Sequence, residues 1–395
     1  MPSRPTASTR LIGFVLAAAA AFCAFVPAAS LAEAQPAKLE VVATQLNNPR
    51  KIFVGPEHTL YVVEAGTGGR DKCLGTGANE TCVGLSGAIT GIRNGVRSRV
   101  VTGLWSGALP NGRRAQGPAD VLVRGRTYYV LLQNGSINSK GFNDLGPDAA
   151  TAGDLITTPP GEAVPAVIFN FAAFEVATNP DHGRGPGARF GNPPLDSNPY
   201  AFVAYRGGYA VVDAAGNDLL WIGPSGKVSV LAVFPTQRSK LTRAIGKQIG
   251  APASMTSISV QSVPSSVALG PDGALYVGEL RGVPFTPGSA RIWRVVPGRK
   301  PTVYASGFTT ISDLAFDGPN LLVLELSTKG LLSGKSPGAL IRVTPAGKKT
   351  VLVRAGLLYP TGLAVDGNSI YISNNGLYPA TGAGPRGELV RLPTG

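Results

Sequence analysis

A motif of sixteen to seventeen residues recurs six times along this chain, and no other feature narrows its fold as far. Each copy has a proline or an equivalent residue, a short apolar strand, a turn carrying Gly or Asp, and a second apolar strand that ends on a polar residue. The copies are Asn48–Glu64, Gly117–Gln133, Asn198–Asp213, Val263–Glu279, Thr310–Glu325 and Tyr359–Asn374. Period-two runs of Val, Leu, Ile and Tyr broken by turn residues mark strands, and the 52 glycines and 33 prolines supply the punctuation. Long helical periodicity is nearly absent.

Two further strands follow most copies. The clearest are Ala290 to Val295 with Thr302 to Ala305, and Ala339 to Val343 with Thr350 to Val353. Four antiparallel strands per unit make a propeller blade. The last unit stops after Glu388 to Leu392, one strand short, while a spare strand, Leu39 to Ala43, lies upstream of the first copy. An N-terminal strand completing the C-terminal blade closes the ring. A β-sandwich or an open solenoid does not explain why the strand missing at one end is present at the other. The fold expected is all-β: one six-bladed propeller over residues 35–395. Three stretches, about Gly66 to Ser86, Asn134 to Gly153 and Glu175 to Ser197, interrupt the first units and are expected to project as loops, where binding residues often sit.

Ahead of the repeats, Arg4 and Arg10 precede an apolar run from Leu11 to about Val26, and small residues end at Ala32-Glu33-Ala34. This is the layout of a secretory signal peptide, with cleavage expected after Ala34 and residues 1–34 removed. The run of about sixteen residues is short of the roughly twenty that cross a bilayer, so no transmembrane anchor is expected. Phe22 before Cys23 spoils a lipoprotein pattern. The mature chain is expected in a secreted or extracytoplasmic location such as the cell envelope. In an oxidising compartment Cys73 and Cys82, with eight residues between them, form a disulfide that closes a small loop. Zinc lacks ligands there, because His58 and His182 lie elsewhere in the sequence.

The formal charge is +13, from 36 basic and 23 acidic residues. The basic residues are scattered, in pairs such as Arg113-Arg114, Arg299-Lys300 and Lys348-Lys349, with no aromatic platform between them, so nucleic acid is not an expected partner. An exported basic protein meets cell-wall polymer, acidic polysaccharide or lipid headgroups more readily. The chain is expected to act as a monomer.

The runs Asn198 to Pro235 and Val263 to Val295, together with the opening copy, its Gly-rich Cys-containing loop and Val101-Thr102-Gly103-Leu104, resemble the ScyD/ScyE family of secreted bacterial propellers. The resemblance covers essentially the whole mature chain and is similar, more distantly, to NHL-type propellers, which include binding modules and metal-dependent enzymes. It implies a propeller fold and supplies no catalytic residues. Lys51-Ile52 departs from the Gly-Leu pair common in this repeat, and Val62-Val63-Glu64 from small residues; both are read as strand-packing differences.

One position per copy could form a site. The polar residues closing the second strands are Glu64, Gln133, Asp213, Glu279, Glu325 and Asn374. Propeller symmetry puts them at one level, and at the channel mouth their oxygens could hold Ca²⁺, with Glu64, Asp213, Glu279, Glu325 and Asn374 as ligand candidates. The plainer alternative is that each bonds its own turn or is hydrated. Asp120, Asp313 and Ser266 share a second repeat position. Serine-triad chemistry needs a histidine base; His58 reads as a turn residue, and His182 lies beside Asp181 in a loop. No Gly-x-Ser-x-Gly elbow, phosphate loop or His-Glu-x-x-His run accompanies them. These readings point first to a non-enzymatic binding propeller that holds a small molecule, polymer or protein on one face. A Ca²⁺-dependent hydrolase, lactonase or lyase comes second, and a charge-held cell-envelope protein third.

Overall fold

A computed structural model describes residues 38–395 except 71, 78–79, 135–145, 184–194, 335, 378–386 and 395. The expected signal peptide, residues 1–34, and its cleavage point lie outside the described residues. Among the described residues no helix is long and apolar enough to cross a membrane.

The chain is a six-bladed β-propeller. From the axis outward, blade 1 has the strands Pro49–Val54, Leu60–Glu64, Thr81–Arg93 and Val96–Ala108. Blades 2 to 5 start at Pro118, Pro199, Pro264 and Ile311, each with four antiparallel strands in sequence order. Blade 6 takes Gly362–Asp366, Ser369–Asn374 and Gly387–Pro393 from the C-terminus and Glu40–Leu46 from the N-terminus. The closing strand pairs antiparallel, Glu40 opposite Arg391 and Leu46 opposite Gly387. It runs three residues further than the sequence suggests, because Leu46 is buried beside Leu389 and prolongs the seam.

Alternation along the strands sends apolar side chains to the gaps between blades, and the main core is six separate clusters, one per interface. Examples are Val63, Ile89, Val121 and Val130 between blades 1 and 2, and Leu46, Val62, Ala364 and Leu389 between blades 6 and 1. The N-terminal strand adds Leu46 to the last cluster, with Val42 and Ala43 packed against it.

Strand direction groups the connections. Turns between the second and third strands, and links from a fourth strand to the next blade, all emerge at one end of the propeller. The described parts of all three long stretches therefore share that face, and those of the first and third do not simply project. The first forms the strand Lys72–Leu74, which pairs with Thr81–Arg93, and carries the Cys73–Cys82 disulfide across that pair. The third begins within the helix Phe171–Thr178, which Asn170 caps by accepting from Ala173 N and Asn179 ends in the left-handed conformation. That helix buries Phe171 and Glu175, one turn apart on the same side. A further insertion on this face, the ribbon Gln237–Lys240 with Ser257–Val260 and the helix Arg243–Gln248 between them, has no counterpart in the sequence reading.

Candidate functional site

Glu64, Asp213, Glu279, Glu325 and Asn374 all stand at the end of the second strand of their blades, buried, as does Gln133 just beyond its strand. The structure does not bring them together. Apart from Gln133, whose Oε1 is buried without a partner among the described residues, each side chain turns into its own blade and binds the segment that leads into the first strand. Glu64 Oε2 accepts from Asn47 N at 2.6 Å, Asp213 Oδ1 from Asn198 N at 2.7 Å, Glu325 Oε1 from Thr309 N at 2.7 Å and Asn374 Oδ1 from Leu358 N at 2.8 Å. Glu279 Oε1 accepts from Ser262 Oγ and Trp293 Nε1, both at 2.8 Å.

The next residue in four of these segments, Asn48, Val263, Thr310 or Tyr359, has φ between 45° and 53°. Non-glycine residues adopt that conformation only under external constraint, a β-branched valine least of all. The polar ring supplies the constraint in these four blades, which is the plainer of the two sequence-based alternatives for these positions. Burial pushes the Glu325 carboxyl up to about 7, against the pull of the Thr309 N–H. Burial also raises Asp213.

The groups that do converge come from the first strands, nearest the axis. The third residue of each strand-entry motif is Lys51, Asp120, Ala201, Ser266, Asp313 or Gly362 in blades 1 to 6. Asp120 accepts from Val121 N of its own strand and Phe202 N of blade 3, at 2.8 and 2.9 Å. Asp313 does the same with Leu314 N and Leu363 N of blade 6, at 2.9 and 2.7 Å. Lys51 leaves blade 1 and crosses the channel. Its Nζ donates to Asp313 Oδ1 and Ser312 O at 2.6 Å and to Ser265 O of the diametrically opposite blade 4 at 3.2 Å. Only 4 % of its side chain is exposed.

The reading of Lys51 as a strand-packing difference is therefore corrected: it is the polar centre of the channel. Burial raises Asp313, with Lys51 pulling the other way, and raises Asp120 to about 7. Next to it, Arg50 is buried and donates to the carbonyls of Ala115, Asn48, Pro49 and Gly376. A divalent cation does not fit an axis already crossed by an ammonium.

A second acidic group lies off the axis, where the tight turn Asp213–Asp218 meets the link from blade 2. Asp213, Asp218, Glu175 and Asp181 are each under 5 % exposed, with Asp196 nearby. None takes part in an ion pair among the described residues. Asn217 Nδ2 donates to Asp181 Oδ2 at 2.9 Å, while Asp218 Oδ1 is buried without a hydrogen-bond partner. Burial and mutual repulsion push Glu175 to about 8, Asp196 to about 6 and Asp218 well above the usual range. Carboxylates suit Ca²⁺, but these oxygens are not gathered round one point. Among the described residues, the one group of three His, Cys, Asp or Glu ligand atoms within 4.8 Å of one another is Cys73, Glu80 and Cys82, whose sulfurs are joined to each other.

Among the described residues neither histidine is paired with a nucleophile. His58 is exposed and its Nδ1 lies 2.8 Å from Asp366 of blade 6. His182 is exposed while its neighbour Asp181 is buried. Repeat alignment would have marked Lys51, the one base at a position otherwise small or acidic. Nothing in spacing alone joins Glu175 or Asp181 to Asp213.

No family model matches this chain, and no curated protein matches it. Solved structures do. PQQ-bound aldose sugar dehydrogenase from Streptomyces coelicolor superposes with a TM-score of 0.50 at 14% identity, over 91% of this chain and 99% of that one. The calcium-binding protein regucalcin from Agrobacterium tumefaciens gives 0.50 at 10% identity, over 90% and 94%. What is shared with them is the fold, a six-bladed β-propeller.

Proposed function

We propose that this chain is an extracytoplasmic binding propeller of the ScyD/ScyE type, exported by its N-terminal 34 residues, with the loop-bearing face as its working surface and the channel as a structural axle. The observation that carries this reading is Lys51, whose ammonium spans the axis to Asp313 and two carbonyls and occupies the place a channel metal would need. Electrostatic catalysis needs preorganised groups aimed at a vacant reacting position. At this axis the described groups are aimed at each other. The test is turnover of a panel of aryl esters and lactones by the purified mature protein, with and without millimolar Ca²⁺. Rates equal to the buffer blank fit the proposal, and Ca²⁺-dependent hydrolysis abolished by chelator overturns it.

A second reading keeps calcium as a structural ion at blade 3. It is favoured by the four buried carboxyls of Asp213, Asp218, Glu175 and Asp181, which form no ion pair among the described residues, and by Asp218 Oδ1, which has no hydrogen-bond partner among them. Of the ring positions, Asp213 alone belongs to this group. Ca²⁺ binding there would draw in oxygens that now stand apart, and would appear as a rise in melting temperature that Asp218→Asn removes.

A further inference from the structure

Arg281 is 2 % exposed and its guanidinium forms no hydrogen bond or ion pair with any described residue. Both Nε and Nη1 are enclosed without a partner. The nearest opposite charge, Glu279, acts on it only through space, since the Glu279 oxygens are taken by Ser262, Trp293 and Arg291. Burial accordingly lowers the Arg281 pKa. Leaving a cation desolvated and unpaired is among the costlier things a fold can do, and Arg281 is held in that state firmly. Its backbone has φ 67°, and the N–H groups of Leu280, Arg281 and Gly282 bond in series to the carbonyls of Val263, Ser262 and Gln261.

The side chain lines a cavity of about 480 Å³ on the loop-bearing face. Ile249 and Ile258 of the inserted ribbon and helix, Val283 and Phe285 of blade 4, and Leu332 of blade 5 form most of its wall. Gln248 Nε2 donates to Leu332 O at 2.9 Å and ties the insertion over it. A pocket of that size, apolar with one convergent charged group, has the build of a small-molecule site.

We infer that this pocket binds an apolar organic anion, a medium-chain fatty or aromatic carboxylate, with its carboxylate against the Arg281 guanidinium and its hydrocarbon body along Ile249, Ile258, Phe285 and Leu332. The carboxylate supplies the missing counter-charge, and guanidinium is the side chain best suited to receive it. The hydrocarbon body displaces water from a wall that offers it few partners. This gives the binding face a ligand class and rests on that reading for its biological sense.

The experiment is calorimetric titration of the mature protein with octanoate, with octan-1-ol and inorganic phosphate in parallel. Octanoate is expected to bind, and the alcohol and phosphate at least tenfold more weakly. Arg281→Leu is expected to fold, being relieved of a buried charge, and to lose octanoate affinity by at least tenfold. Val283→Trp, a change at the exposed rim of the pocket, is expected to weaken binding while leaving Arg281 in place. Equal affinity for octanoate and octanol, phosphate binding as tight as octanoate, or octanoate affinity unchanged in both variants overturns the inference. These outcomes leave the reading of a non-catalytic propeller untouched, whereas ester turnover with intact octanoate binding overturns that reading and spares the pocket.

Discussion

Replacing Lys51 with methionine tests whether the channel is an axle. Methionine keeps an unbranched stem in the cavity and deletes only the ammonium. The deletion removes three hydrogen bonds, one of them to a carboxylate with 8 % side-chain exposure. Asp313 keeps the Leu314 and Leu363 N–H groups but loses its only ion-pair partner among the described residues. Breaking a buried pair from one side costs about 3–5 kcal/mol. Because Asp313 is already raised by burial and held down by Lys51, the variant's carboxyl titrates higher still. A folded-state value above the unfolded one favours the folded chain at low pH and loses that advantage as pH rises. The deficit of Lys51→Met should therefore be small near pH 4 and grow towards neutrality. Adding Asp313→Asn should recover most of it, giving a coupling of more than about 1 kcal/mol in a double-mutant cycle. Urea unfolding at pH 5 and pH 8, with refolding checked, measures all four species. A deficit below about 1 kcal/mol, or one that is equal at both pH values and unaffected by Asp313→Asn, refutes the argument.

Two more consequences follow from buried charge and ring closure. The raised carboxyls of Asp213, Asp218, Asp196 and Glu175 hold protons that the unfolded chain has released, so the metal-free protein should lose thermal stability as pH rises from about 4 to about 8, where Glu175 titrates. Asp218→Asn should flatten that slope and raise the melting temperature at pH 8; an unchanged slope removes the cluster as its cause. Deleting residues 35–46 strips the outer strand from blade 6 and exposes the edge of Gly387–Pro393 together with Leu389. The shortened chain should elute as aggregate on size exclusion and lose amide protection first in blade 6 by hydrogen exchange, and a monomer as protected as the full chain would show that closure is dispensable.

The blades were legible because a propeller repeats its burial pattern, so six copies vote on each strand. The closing strand was legible by subtraction, and its extra three residues were not, since Thr44 to Leu46 carry no repeat of their own to compare. The disulfide was expected from spacing together with an assumed oxidising compartment, and the register places Cys73 opposite Cys82. The polar ring was found at the correct level but assigned an open destination. Sequence symmetry gives the height of Glu64 or Asp213 along the axis, whereas the direction of the side chain depends on a backbone N–H fifteen to seventeen residues upstream in the chain.

Repetition conceals what individual blades do differently, and the informative cations are both breaks in the pattern. Lys51 stands where the other copies carry Asp120, Ala201, Ser266, Asp313 and Gly362. Arg281 stands two residues beyond the ring, where the other copies carry Gly66, Gly135, Ala215, Ser327 and Gly376. The other five copies are small at the Arg281 position and small or acidic at the Lys51 position. One long cation there fills what its neighbours leave open, so it must meet groups from other blades or line a cavity. Lys51 does the first, reaching blades 4 and 5. Arg281 does the second, unpaired beneath the inserted ribbon and helix. In a fold whose constants build the scaffold, Arg281 is the stronger pointer to function of the two, because Lys51 is satisfied by its structural bonds while Arg281 has no partner among the described residues.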